Sequence, residues 1–469
     1  MRVFFIITFS TCLCFMQGQV WNNVISNVGP NSYSWFASSI VDSTNNILYL
    51  GGDFSGVNQH NTNAIIRYDG MVFDTLQSGL DDQDHGGTVV RSMQIFQNKL
   101  YVFGTFQKTG KYFCRFIGRW NGISWDSVNF KPRGDIWFSD VYNNELYVAG
   151  SFDTIGGIAS NCISKYDGNQ WYNIGHPVKD NLVTAMKVFK GVPYIAAQIT
   201  EQSSSANISY YDGAKWVPWV GVSGDVAKYV AGMTVIDSML YVYGRFNSIA
   251  GTNCRGLAAY NGKNWYGFGS GLSNSGWETI KSVKKINGEI YAMGVFNYIE
   301  GIGNPTSEPL YTNIAKFDGQ KWCLFSPPSD NEINGLIEYN NDVYLFGAIK
   351  KMGNDSVLGF LKWNGGNTVT ECSQDVGIYM STVGIRESIN KSNMNIYPNP
   401  VKDKLKLDFS GFETNKITLQ LINSLGQTVC SFDNSIQYKE IDLSNFPAGL
   451  YYLKVQDGNK HKVFKILKE

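Results

Sequence analysis

Histidine is scarce in this 469-residue chain, with four in all, and no Cys-x-x-Cys pair occurs. A zinc or iron–sulfur centre on the usual ligand spacings is therefore not expected. No Gly-x-Ser-x-Gly, His-Glu-x-x-His or Walker pattern is present either, which removes the common nucleophile, metalloprotease and phosphate-cradle signatures. Charge of one sign is missing: 39 basic residues balance 39 acidic ones. No global field exists to attract nucleic acid or anionic lipid. The one basic cluster, Lys460, Lys462, Lys465 and Lys468, stands at the chain's end. Beyond the first residues, no run approaches the ~20 apolar residues of a membrane helix.

The beginning reads as a signal peptide over residues 1–18. Arg2 is the basic start, Val3 to Met16 is mostly apolar, and cleavage is expected near Gly18. Cys12 and Cys14 offer a lipoprotein acceptor as an alternative, although the residues before each fit a lipobox poorly. Six cysteines remain: Cys114, Cys162, Cys254, Cys323, Cys372 and Cys430. They read as buried small hydrophobes, with a Cys323–Cys372 disulfide as the alternative in an exported protein.

What the chain does have is glycine, 49 residues, and aromatics, 14% of the total. Both favour β-rich structure with many turns. Their placement is periodic. Tyr49, Tyr101, Tyr147, Tyr194, Tyr241, Tyr291 and Tyr344 each sit in an apolar run, usually with Gly close behind. About twenty residues after each comes Asp69-Gly70, Asn121-Gly122, Asp167-Gly168, Asp212-Gly213, Asn261-Gly262, Asp318-Gly319 or Asn364-Gly365, usually with an aromatic three residues on. A period in this range belongs to propellers and solenoids.

Asp-Gly and Asn-Gly between apolar runs signal a two-residue type I′ hairpin. A second turn precedes each Tyr, as at Asn98-Lys99, Asn143-Asn144, Lys190-Gly191, Asn287-Gly288 and Asn341-Asp342. Each repeat then reads as four antiparallel strands, the pattern of a propeller blade. The second strand, as in Leu100-Tyr101-Val102-Phe103, is apolar at every position, as expected where both faces are covered. The seventh repeat lacks the final aromatic, and Trp21-Asn22-Asn23-Val24 carries a stray copy of that element. The expectation is that the N-terminal strand completes the last blade, with Thr368–Cys372 as the rival.

With Leu48-Tyr49-Leu50-Gly51-Gly52, Tyr68-Asp69 and Phe73 as its best copy, the repeat resembles kelch-like propellers over about residues 20 to 370. Only the first repeat keeps both glycines, and the Tyr-to-Trp spacing is shorter than in kelch. The resemblance implies an all-β, seven-bladed β-propeller over 19–372, and says far less about function. Sialidase Asp-boxes differ, because here Asp and Gly are adjacent, as in Asp167-Gly168 before Trp171.

Residues 373–394 are polar and read as a linker. From Asn395 the composition changes. Tyr397-Pro398-Asn399-Pro400, Leu425-Gly426-Gln427, Asp442-Leu443-Ser444 and Ala448-Gly449-Leu450-Tyr451-Tyr452-Leu453-Lys454-Val455 stand in order before the basic end. This segment, 395–469, resembles the C-terminal sorting domain of the type IX secretion system. The resemblance implies a small β-sandwich, passage through the periplasm and across the outer membrane, engagement with the type IX machinery, removal of the domain, and release or surface attachment.

Few residues suggest chemistry. Asp81, Asp82 and Asp84, in Asp81-Asp82-Gln83-Asp84-His85-Gly86, offer oxygen ligands for Ca²⁺, against the simpler reading of a solvated acidic loop. Trp216 and Trp265 belong to the repeat and read as packing residues. Trp219 and Trp277 are off-pattern and are the candidates for a sugar platform, against the simpler reading of a buried loop anchor. His60, His85 and His176 stand in no metal or nucleophile motif, so a copper site is not expected, nor any cofactor beyond Ca²⁺. A non-enzymatic binding or adhesion protein, using a rim or the axial pocket, is favoured. The alternative is a propeller glycoside hydrolase or lyase acting on extracellular polysaccharide.

Overall fold

The computed structural model describes residues 21–29, 34–81, 87–128, 130–175, 183–197, 207–224, 228–268, 272, 279–296, 313–319, 321–325, 327, 329–365, 378–381, 395–408, 417–423, 428–432, 440–457 and 460–469. Among these residues every regular element is a strand. The chain divides into two compact units, Met1–Thr382 and Val383–Glu469.

The first unit repeats one sheet. In the third copy, Ile136–Tyr142, Glu145–Gly150, Ile163–Tyr166 and Trp171–Asn173 pair antiparallel in that order. Sheets of the same order start at Trp35, Val183, Tyr229 and Thr279. The second has three named strands, with Trp120 bridged to Trp125 at the fourth position. In the seventh, Ile333–Tyr339, Asp342–Gly347 and Phe360–Trp363 are completed by Trp21–Asn23, with Trp21 opposite Trp363. Trp21 thus fills the place held by Trp171 opposite Tyr166 or by Trp322 opposite Phe317. The rival segment Thr368–Cys372 lies outside the described residues.

Seven apolar clusters hold these sheets, one for each consecutive pair, and the seventh joins the last sheet to the first. The second strands explain why. Leu100 and Val102 pack toward the first sheet, while Tyr101 and Phe103 pack toward the third. A strand covered on both faces has no polar face to show, so alternation vanishes from the sequence. The outer tryptophans tie neighbours together. Trp125 Nε1 donates to Leu76 O at 2.9 Å, and Trp322 Nε1 to Phe268 O at 3.1 Å. Trp216 makes the corresponding bond to Ile174 O. Each gives a buried indole N–H an acceptor carbonyl on the preceding sheet's backbone.

The Asp-Gly turn is not the two-residue type I′ hairpin that the sequence suggested. Tyr68 pairs with Phe73 and Tyr166 with Trp171, so four residues, not two, fill the Asp-Gly loop. The Asp69 carboxylate accepts from the N–H groups of Met71 and Val72 at 2.8 and 2.7 Å. Asp167, Asp212, Asn121 and Asn261 accept the same pair of bonds. Asp and Asn share this cap because both present a side-chain oxygen, while Asn121 Nδ2 and Asn261 Nδ2 donate further to Asp126 and Tyr266. Gly168, Gly213 and Gly319 have φ of 104°, 100° and 102°, a region that suits glycine. The type I′ geometry, with both central residues at positive φ, occurs instead between the first and second strands. Gln97-Asn98, Asn143-Asn144, Lys190-Gly191 and Asn340-Asn341 carry it. Turn and loop meet across sheets: Gln97 Nε2 donates to Asp167 O and Lys190 Nζ to Asn261 O.

Ile378–Ser381, within the segment expected to be linker, pairs with Trp265–Phe268 as a fifth strand of the fifth sheet. Four residues are too few to show periodicity, so composition hid this strand. Cys323, read first as a buried small hydrophobe, is instead disulfide-bonded; Cys372, the partner named in the alternative reading, lies outside the described residues. Cys114, Cys162, Cys254 and Cys430 are free, the first three buried.

The second unit has a three-stranded sheet (Asn395–Tyr397, Lys404–Asp408, Glu440–Asp442) and a four-stranded sheet (Thr428–Phe432, Ile417–Asn423, Gly449–Asp457, Lys460–Lys468). Leu405, Leu407 and Ile441 from one sheet share a core with Leu419, Leu453 and Ile466 from the other. Among the described residues no helix is long and apolar enough to cross a membrane.

Candidate functional site

All seven first strands carry a β-bulge near their start. Val90 pairs with Gly104 and Ser92 with Phe103, leaving Arg91 as the extra residue. Ile136 and Phe138 leave out Trp137 in the same way. The other extra residues are Ala37, Thr184, Ala231, Lys281 and Asn334. A bulge bends its strand and re-aims a side chain.

The bulge explains a glycine. Opposite it stand Gly52, Gly104, Gly150, Ala197, Gly244, Gly294 and Gly347. A Cβ on Gly150 would lie 2.1 Å from Asp135 O, and one on Gly347 2.4 Å from Glu332 O. The glycine that follows most of the repeat tyrosines therefore marks the bulge. Nothing in the structure explains how Ala197 is accommodated in the fourth sheet.

Polar links join the starts of neighbouring first strands. Asn334 Nδ2 donates to Phe36 O at 2.8 Å, and Ser38 Oγ to Val90 O at 3.5 Å. Tyr229 and Thr279 share a hydroxyl hydrogen bond of 3.0 Å. Lys281 and Glu332 form an ion pair. Starts thus meet starts, and the bulges gather at one end of the strand set. The residues there are varied. Trp35, Trp137 and Tyr229 are half-buried, as are Asp53, Asp135 and Arg245, while Arg91 is exposed. The Arg245 guanidinium lies 5.3 Å from the Tyr229 ring centre.

Two carboxyl groups at this end are shifted against their charged form. Burial raises Asp53, partly offset by a hydrogen bond from Trp35. Burial raises Asp135, partly offset by the charge of Arg91. A carboxyl desolvated without a full countercharge is a candidate for function. Structural carboxylates in the unit are paired: Asp140 binds Lys187 Nζ at 2.6 Å and Val188 N at 2.8 Å.

The residues singled out from the sequence fall elsewhere. Trp219 is the extra residue of a bulge in Trp216–Val220, which is why it breaks the pattern. It packs against Tyr194, Tyr260 and Trp265 with ring centres 5.0, 4.7 and 5.1 Å away, sealing the fourth sheet to the fifth. Asp81 ends a short strand opposite Lys108. Trp277, Asp82 and Asp84 lie outside the described residues, and among those described no three metal-ligating side chains gather. The bulge-end set escaped sequence reading because its side chains differ in every repeat. Only the recurrent glycine, two positions past Tyr-x, pointed to it.

In the second unit, Tyr397 ends a strand and Pro398-Asn399-Pro400 leads out of it. Asn399 Oδ1 accepts from Leu467 N at 2.9 Å, tying the segment's beginning to its end. Gly449 opens the long strand carrying Tyr451, whose hydroxyl donates to Pro447 O at 2.9 Å.

Residues 395–469 match the family described as a secretion system C-terminal sorting domain. The protein is therefore a substrate of type IX secretion, exported and then released from or attached to the outer cell surface. No curated protein matches the chain. Two solved structures resemble it, both of the extracellular domain of BT4673 from B. thetaiotaomicron, described once as a one-component and once as a hybrid two-component system. Identities are 11% and 12%, coverage is 94% of this chain and 75% and 76% of that one, and each TM-score is 0.25. At that score the likeness carries no weight for the fold.

Proposed function

We propose that the first unit is a seven-bladed, kelch-like β-propeller that binds an extracellular ligand at the bulge end, delivered there by the sorting domain. The cyclic succession of seven clusters, with Trp21–Asn23 completing the last sheet, supports the ring. Closure leaves no open face at either end of the series. The small sandwich formed by the second unit engages the secretion machinery and is dispensable for binding.

The observation that carries the reading is the bulge end. Seven like backbones bring unlike side chains together, including two desolvated carboxyls beside aromatics and arginines. Two carboxyls desolvated without a full countercharge suit a surface completed by a ligand. The test is an array of glycans and proteins probed with the full chain, then with Trp137→Ala. A folded variant that keeps every interaction of the parent would sink the site.

Asp53 and Asp135 also favour a second reading, a glycoside hydrolase or lyase, since a carboxyl raised by burial can serve as a general acid. Release of reducing ends or unsaturated ends from polysaccharide, abolished in Asp135→Asn, is its signature.

A further inference from the structure

We infer that the ligand taken at the bulge end is a saccharide, with a pyranose face on an indole ring, Trp137 or Trp35, and its hydroxyls on the carboxylates of Asp135 and Asp53. This rests on the binding reading above and names its ligand class.

Chemistry selects among ligands. Trp35 stands opposite Asp53 in the first sheet, and Asp135 precedes Trp137 by two residues in the third. An indole face is electron-rich, and the axial C–H face of a pyranose is apolar and weakly positive. Vicinal hydroxyls of the same sugar donate to a carboxylate, a charge-assisted bond roughly twice as strong as a neutral one. Aromatic faces and acceptors therefore alternate as a sugar presents its faces and edges. The Trp35 indole N–H is already spent on Asp53, which fixes the carboxylate while leaving the ring face free of that bond.

Other macromolecules fit less well. Arg91, Arg245 and Lys281 are offset by Asp53, Asp135 and Glu332, so no net charge draws a polyanion. A protein partner would use large exposed apolar side chains. Those with the greatest exposure, Met71 and Ile123, sit in the Asp-Gly and Asn-Gly loops beside the type I′ turns, at the opposite end.

The raised Asp53 and Asp135 add a pH signature. As ligand acceptors they must be ionised, so affinity falls on mild acidification, at a higher pH than an ordinary carboxylate would give.

The full chain is titrated with cellohexaose, laminarihexaose and mannohexaose, read by tryptophan fluorescence and calorimetry. At least one is expected to bind. Trp137→Ala and Asp135→Asn should each weaken it by roughly tenfold or more, and Trp137→Phe by only about threefold. Melting curves check that each variant is folded, and Asp135→Asn keeps the test open should Trp137→Ala unfold. Absence of binding to all three by the folded chain, or affinities unchanged in Trp137→Ala and Asp135→Asn, overturns the inference. If a protein ligand is lost in those variants while no saccharide binds, the saccharide class falls and the binding reading stands. If nothing at all depends on the bulge end, both fall.

Discussion

The two ends of the first strands make an instructive contrast. At the turn end, backbone and side chain both repeat: Asn or Asp caps the four-residue loop in the first, second, third, fourth and fifth sheets through the same two bonds. At the bulge end only the backbone repeats. The extra residue is Ala37, Arg91, Trp137, Thr184, Ala231, Lys281 or Asn334. A feature that repeats with its side chain is doing the fold's work in every copy. One that repeats only as backbone is a platform on which unlike groups are assembled.

The contrast can be broken at several levels. The largest effect should come from the support both ends share. Trp21→Ala empties the junction between the sixth and seventh sheets, and should cost about 3–5 kcal/mol in urea unfolding, as for other buried aromatics. An unchanged midpoint would mean that Trp21–Asn23 is an ornament and not the completing strand.

Next comes the platform itself. Gly150→Ala puts a methyl group against Asp135 O and should cost about 1–3 kcal/mol, with ligand binding weakened because Asp135 and Trp137 are displaced. A neutral outcome would show that the bulge is soft, as the natural Ala197 hints for the fourth sheet.

The turn end should respond less. Asn121→Ala removes the acceptor for Ile123 N and Ser124 N, worth about 1 kcal/mol, and Asn121→Asp, which keeps that acceptor but turns a donor to Asp126 into a second carboxylate, should also destabilise. Ligand affinity should not change in either variant. A change there would mean that the two ends are coupled.

The smallest effect carries the sharpest sign. Backbone hydrogen bonds lower Asp69, Asp167 and Asp212. A depressed folded value contributes stability above the unfolded pKa of ~3.9, lost as pH falls through the folded value. Asp53 and Asp135 are raised. Their contribution is present below the unfolded pKa and lost as pH rises through the folded value, so at neutral pH they weaken the fold. Asp135→Asn should therefore raise the melting temperature slightly at pH 7, while Asp212→Asn should lower it slightly. A fall in Asp135→Asn would make Asp135 a structural residue like Asp140.

Local signals were legible where a residue type has one physical use. Asp-Gly marked a loop with glycine at positive φ, and Trp21 announced itself as the missing outer aromatic. The loop's type was not legible. Asp-Gly is the usual type I′ pair, yet the register of Tyr68 with Phe73 admits four residues and makes the Asp a side-chain cap. Trp219 is off-pattern because it is the extra residue of a bulge, and it packs between sheets as the simpler reading of an anchor had it.

By itself the sequence determined the repeat, the N-terminal completion of the last sheet and the exported fate written in residues 395–469. Those follow from local periodicity and from motifs whose residues lie close in sequence. Tertiary structure alone decided which side chains meet. Asp53, Arg91, Asp135 and Tyr229 are separated by whole repeats and share no spacing rule. They are gathered only because each first strand is bulged at the same point and packed beside the next, a relation set by side-chain packing between sheets and invisible to any window along the chain.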